Sequence, residues 1–293
     1  MSRVFCLGNG ESRLDYDITK LKSKGKIYGC NAIYRDYPDL LTGLIAVDHG
    51  IMHEIYHSGY AKTTDCYFRD WTKLPGQMFK SIIYGVTEKA NEFDEVIKKF
   101  DVTKSNEREE GMEEFVMHGV NLAGVVTILK QQRKVKETKK IDSKQLYWSW
   151  IYPNDKSHNI SETMPGDRDM GWAAGATSGY IAVKKEQPKE LYMIGHDLVS
   201  PTGKVNNVYK DTKNYIVAQA TATNPTNWIT QWNTLFEQNP NVKFIKVNKG
   251  KDTEYLPNNE IKEWVKWKED RLEYITFEEL DKRLELWYTD KYK

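Results

Sequence analysis

The chain reads as an α/β protein: a mostly parallel, Rossmann-like sheet flanked by helices, interrupted in its middle third by an insertion or lid of mixed character. Three observations predict this. Short apolar runs recur with turn residues after them, as buried parallel strands do. Several of these runs end on a polar group, at Asn9, Asn31, Asp48 and His196-Asp197. Helix-like spacing follows most of them, and strand, polar turn and helix in repetition is the grammar of a parallel sheet whose ligands bind outside the carboxyl ends of the strands.

Taken in order, Val4-Phe5-Cys6-Leu7 is the first strand, and it stops at Gly8-Asn9-Gly10-Glu11-Ser12. Glycines there allow positive φ and let the backbone approach an anion closely. Leu14, Ile18 and Leu21 fall at helical spacing before Gly25, and Lys26 to Cys30 is a second strand ending in Asn31. Leu44 to Val47 is a third, ending in Asp48-His49 before a helix-like segment through Tyr56, and Cys66 to Phe68 is a short fourth. From there to the middle of the chain the periodicity degrades. A helix is expected over 87–100, with charge-rich, strand-like pieces after it and a polar loop over 153–168. Order returns at Gly171. The segment Thr177-Ser178-Gly179 is expected to open an apolar helix with unpaired amides and hydroxyls, a good anion site. Glu190 to Ile194 is a strand, Trp228 to Phe236 a helix and Val242 to Val247 a last strand; terminal helices are expected over 260–272 and 276–287, the second opened by a Thr276/Glu279 capping box. The domain reading is a discontinuous nucleotide-binding core over 1–69 and 170–250, an insertion over 70–169, and C-terminal helices over 251–293 packed on the core.

Composition narrows the function classes. The 43 basic and 42 acidic side chains nearly cancel, so there is no nucleic-acid footprint; the basic run over 130–140 fits a solvated face. A mean hydropathy of -0.70 describes a wet surface. No apolar run approaches membrane-spanning length, and Met1-Ser2-Arg3 runs straight into a strand, leaving no room for a signal peptide. Three dispersed cysteines read as reduced thiols of a cytoplasmic protein, and a homo-oligomer is left open.

The motifs point several ways. His53-Glu54-Ile55-Tyr56-His57 satisfies the H-E-x-x-H zinc pattern, with Glu88 or Glu92 as a third ligand, but the α/β context argues against it and it ranks last. Asp48, His49 and His196 are the candidate catalytic groups, because histidine and aspartate are the usual proton acceptors for activating a hydroxyl and each stands where a strand should open into the cleft. Ser178 lacks the nucleophile elbow, and there is no Walker A loop.

Together, Gly8-Asn9-Gly10-Glu11-Ser12, Ile27 to Asn31, Asp48, Ala176 to Gly179 and Tyr192 to Asp197 resemble the bacterial sialyltransferases of glycosyltransferase family 42. The chain is similar also to Maf-type flagellin glycosyltransferases and hydroxymethylpterin diphosphokinase-like proteins. The resemblance covers about 1–60 and 170–250. It implies that Gly8, Asn9, Gly10 and Ser12 hold a nucleotide or its phosphate, that Asn31 and Asp48 line the donor pocket, that Thr177, Ser178 and Gly179 hold the nucleotide with Asp197 nearby, and that Tyr209 touches the donor phosphate. The family has proline where this chain has Glu11, which therefore contacts ribose or base if it binds at all, and the family's general-base histidine lies downstream of Gly-x-Asp, where this chain has none. The expected activity is a metal-independent glycosyltransferase without a prosthetic group, taking a CMP- or UDP-linked sugar to a glycan or other hydroxyl acceptor. The alternatives are a Mg²⁺-dependent pyrophosphoryl transferase with Asp48 and Asp197 on the metal, and a non-catalytic nucleotide-binding or assembly module.

Overall fold

The structure is a computed structural model that describes residues 2–69, 113–114, 146–147, 158–162, 172–248, 261–268 and 270–291. The chain forms two compact units, residues 1–45 with 172–293, and residues 46–171. Segment 46–69, expected in the core, falls in the second unit, and 251–293 falls in the first. The expected helix over 87–100, Glu88 and Glu92, the basic run over 130–140 and most of the loop over 153–168 lie outside the described residues.

Among the described residues, six parallel strands build the first unit: β1 (Arg3–Leu7), β2 (Lys26–Cys30), β3 (Gly43–Ala46, whose last residue crosses into the second unit), β8 (Glu190–Ile194), β9 (Lys243–Asn248) and β10 (Leu272–Thr276). Their spatial order is β10-β9-β8-β1-β2-β3. Counted within the unit, this is 3-2-1-4-5-6, the doubly wound order of dinucleotide-binding sheets, and the direction of winding reverses between β1 and β8. Helices α2 (Ala174–Glu186), α3 (Thr226–Gln238) and α4 (Phe277–Lys291) complete it.

Strand alternation decides which helix covers which face. Arg3 points to one side, where it donates to the Arg283 carbonyl of α4, and Phe5 on the same side meets the Tyr192 ring at 5.2 Å. Cys6 points to the other, against Ser178 of α2. Both faces of β1 are therefore buried, which is why Val4 to Leu7 is apolar without alternation. Helix α3 lies on α2, carrying Trp232, Leu235 and Phe236 into a core shared with Phe244 and Trp264. The capping box at the start of α4 is reciprocal: Thr276 N–H donates to Glu279 at 2.7 Å, and Glu279 N–H donates to Thr276 Oγ1 at 3.1 Å.

Three local expectations change. Leu14 is 67% exposed, and the segment after the first turn is two 3-10 turns, Glu11–Asp15 and Ile18–Leu21, instead of an α-helix. Residues 262–267 are also 3-10, and Leu272, expected to end the helix over 260–272, instead opens strand β10.

In the second unit, α1 (His49–Ser58) ends on Gly59, left-handed at φ 78°. Strand β4 (Asp65–Phe68) pairs in parallel with β7 (Ile160–Glu162), a pairing extended by Cys66 N–H to the Asn159 carbonyl at 2.8 Å. The two-residue ladder of β5 (Glu113–Glu114) and β6 (Leu146–Tyr147) is also parallel.

Candidate functional site

At the point where the winding reverses, the loops after β1 and β8 are clasped together. Gly8 N–H donates to the Ile194 carbonyl and Gly10 N–H to the Gly195 carbonyl, each at 2.8 Å. Asp197 then accepts from Ser12 N–H at 3.0 Å with one carboxylate oxygen and from the Ser12 hydroxyl with the other. The glycines are needed for this contact. A Cβ on Gly8 would stand 2.3 Å from the Gly195 carbonyl oxygen, and one on Gly10 would stand 2.4 Å from the Asp197 carboxylate.

A long segment after β8 straps over this clasp. Val208 N–H donates to the Asn9 carbonyl, and Glu11 N–H to Asn206 Oδ1, both at 2.8 Å. Lys210 pairs with the Glu11 carboxylate at 2.5 Å. Tyr209 is buried; its hydroxyl donates to Asp36 at 2.6 Å and accepts from Arg13 Nη2 at 3.2 Å. Burial pushes the Tyr209 phenol above its ordinary range, against the pull of Arg13. Ala32 N–H donates to the Tyr215 hydroxyl at 3.1 Å, and Arg35 holds Thr212 at 2.9 Å.

Against this dense bonding, a few buried atoms around the clasp have no hydrogen-bond partner among the described residues: Asn9 Oδ1, Asn31 Oδ1, Arg13 Nε and Nη1, Thr177 Oγ1 and His196 Nε2. Asn9 uses its amide NH₂ on the Cys30 carbonyl at 3.0 Å, which fixes the side chain and leaves its oxygen over. Asn31, directly after β2, sits at φ 54°, a left-handed conformation that asparagine tolerates better than most residues. Two acceptor oxygens thus stand beyond the carboxyl ends of adjacent strands. Acceptors without donors match hydroxyls or exocyclic amines of a ligand, not a phosphate.

The expected site residues divide accordingly. Asn9, Gly10, Ser12, Asn31, Asp197 and Tyr209 do come together at the end of the first-unit sheet, but Asp197, Ser12 and Gly10 close the clasp upon themselves. Glu11 is engaged by Lys210, so its carboxylate serves the strap. Thr177, Ser178 and Gly179 are the fourth to sixth residues of α2, not its opening; Thr177 N–H is already used on the Ala173 carbonyl at 3.0 Å. Ser178 bonds the Gly175 carbonyl at 2.7 Å, and Gly179 leaves room for the Trp232 ring. His196 is buried under Trp232, ring centroids 5.0 Å apart. Burial lowers its pKa to about 3, with the Lys246 charge adding to the effect and the Cys6 carbonyl opposing it. A general base works best with a pKa near the operating pH, and a neutral imidazole this hard to protonate is a poor one.

Asp48 and His49 belong to the second unit. Asp48 is exposed and precedes α1, its carbonyl accepting from Met52 N–H at 3.1 Å; His49 is the first residue of that helix. The H-E-x-x-H residues lie within α1. Among the described residues no group of three or more His, Cys, Asp or Glu is placed to hold a metal ion, and no helix is long and apolar enough to cross a membrane.

Two residues escaped the sequence. Arg13 is 2% exposed, although an arginine flanked by Ser12 and Leu14 reads as surface. Lys246 is buried too, donating to Asn248 Oδ1 at 2.8 Å, and burial lowers it to about 8 while Asp197 opposes the shift. A lone lysine within Phe244-Ile245-Lys246-Val247 was the available signal: in a strand covered on both faces, every position is inside. No family model, curated protein or solved structure matches the chain.

Proposed function

We propose that the first unit binds a nucleotide at the carboxyl ends of β1, β2 and β8, and that the protein is a nucleotide-dependent transferase of the metal-independent glycosyltransferase kind. The observation that carries the reading is the pair of buried, unpartnered amide oxygens of Asn9 and Asn31 at the switch point of a 3-2-1-4-5-6 sheet. Acceptors in that place suit the hydroxyls of a ribose or the amine of a base. The motif order shared with family 42 sialyltransferases supports a CMP- or UDP-linked sugar as donor and a glycan or other hydroxyl as acceptor.

Thermal unfolding in the presence of CMP, UDP, GDP and ATP, with Mg²⁺ or with a chelator, tests this. Stabilisation by CMP or UDP that persists in chelator is the expected result. No response to any of the four sinks the reading, and stabilisation that needs Mg²⁺ moves it to pyrophosphoryl transfer. A second reading, a nucleotide-binding module without catalysis, draws support from Asp197 being tied to Ser12 and His196 being neutral and buried. Hydrolysis or transfer of a CMP- or UDP-sugar by the purified protein decides between the two.

A further inference from the structure

We propose that Arg13 is an oxyanion site, with phosphate as the class of ligand it takes. The inference deepens the nucleotide reading above, on which it rests for the identity of the rest of the ligand, by naming the group that receives the charge.

An arginine is always protonated and brings five N–H donors. Arg13 is 2% exposed, yet the only hydrogen bond of its side chain among the described residues runs from Nη2 to the Tyr209 hydroxyl at 3.2 Å. Nε and Nη1 are left without a partner, and both are buried. The nearest carboxylate among the described residues is Asp36, 3.9 Å from Nη2 and 46% exposed, whose oxygen is already taken by Tyr209 at 2.6 Å. The rings of Tyr37 and Tyr209 lie 5.8 and 5.5 Å from the guanidinium, which offers the cation some compensation through their faces but satisfies none of its N–H groups.

Leaving donors of a buried cation unmade is costly, so such a group stays inside a fold when something else completes it. What completes donor-only atoms on a positive group is an anion with several acceptor oxygens, and phosphate fits best. The position agrees. Arg13 follows Ser12 in the clasp, and its Cβ packs on Gly195; the strap residue beside Tyr209, Val208, bonds Asn9. Asn9 and Asn31 offer acceptors and Arg13 offers donors, so a ligand carrying hydroxyls or amines together with a phosphate answers both sets. The phosphate contact thus belongs to Arg13, while the Tyr209 hydroxyl, held between Arg13 and Asp36, serves to orient it.

Calorimetric titration at constant ionic strength separates the roles, using uridine, cytidine, UMP, CMP and inorganic pyrophosphate against wild type, Arg13→Met and Asp36→Asn. Wild type is expected to bind the monophosphates at least about tenfold tighter than the nucleosides. Arg13→Met should bring the two within about twofold, by weakening the monophosphates far more than the nucleosides. Asp36→Asn, which removes a negative charge near the guanidinium while keeping an oxygen to accept from Tyr209, should tighten the monophosphates and pyrophosphate roughly threefold; if Arg13→Met fails to fold, an Asp36→Asn variant with no gain for these anions overturns the proposal. A folded Arg13→Met that keeps the wild-type phosphate preference, or monophosphates no tighter than nucleosides in wild type, overturns the proposal while leaving nucleoside binding intact. Pyrophosphate bound through Arg13 with no nucleoside or nucleotide preference upholds the anion site and overturns the nucleotide reading instead.

Discussion

Asp197 shows how a residue in the right place can be occupied by its own fold. Both carboxylate oxygens accept from Ser12, one from the backbone and one from the hydroxyl, in a site with neither residue above 5% exposure. Removing the acceptor leaves two buried donors unmade, so Asp197→Ala should cost about 2 to 4 kcal/mol in urea denaturation, whereas Ser12→Ala, which keeps the backbone bond, should cost about 1 kcal/mol. Equal losses would place the stability in the hydroxyl alone. His196 makes a second claim at this scale. Its folded pKa of about 3 lies below the ordinary 6.5, so between those values the unfolded chain holds a proton that the native protein lacks. Stability therefore falls as pH drops from about 6.5 towards 3, by up to about 4 kcal/mol. His196→Gln should flatten that stretch of a pH series of melting curves. Lys246 acts in the same sense at higher pH: with a folded pKa of about 8 against 10.5, it adds stability as pH rises between them. Lys246→Met should abolish that rise.

Between elements, the contact of α2 with α3 depends on one absent side chain. A Cβ on Gly179 would stand 2.6 Å from the Trp232 ring, too close for the helices to keep their spacing. Gly179→Ala is expected to destabilise by about 1 to 3 kcal/mol despite its better helix propensity, and Trp232→Phe in the same chain should recover part of the loss. Additive losses in the double variant would remove the steric explanation. This contact also marks where sequence reasoning stops. Strands β1, β2 and β8 were legible because strands buried on both faces must be apolar throughout, and their ends located Asn9, Asn31 and Asp197 correctly. What those ends do was not legible, since Ser12 finds its acceptor 185 residues away, and Glu11 finds Asn206 195 away. Thr177-Ser178-Gly179 carried the right residues for a helix start and the wrong offset, because the turn that opens α2 is at Ala173 and has no side-chain cap to announce it. Arg13 was missed because nothing local distinguishes a buried arginine from a solvated one.

For the molecule as a whole, the first unit is discontinuous: β1 pairs with β8 across 187 residues, Arg3 opposite Glu190, with the second unit lying between them in the chain. Contacts of that separation close late, and once closed they make β1 and β2 part of one cooperative structure. The three cysteines report on this. Cys6 and Cys30 sit on neighbouring strands of the first unit, 0% and 4% exposed, with the Cys30 thiol against the Leu7 carbonyl at 3.4 Å; Cys66 is in β4 of the second, 0% exposed. None of the three is joined in a disulfide, and burial pushes Cys6 and Cys66 above the ordinary range, which removes the reactive thiolate. Pulsed alkylation read by peptide mass spectrometry should therefore find none of the three modified in the native protein. On titration with guanidinium, Cys6 and Cys30 should become labelled together at one midpoint, because β1 cannot leave the sheet without uncovering β2 on that side. Separate midpoints for these two would mean that the clasp between β1 and β8 opens without the rest of the sheet, and the first unit would not be a single cooperative body. Added CMP or UDP, if bound at Asn9 and Asn31, should raise the shared midpoint of Cys6 and Cys30, since a ligand held by the native state alone stabilises the unit that holds it.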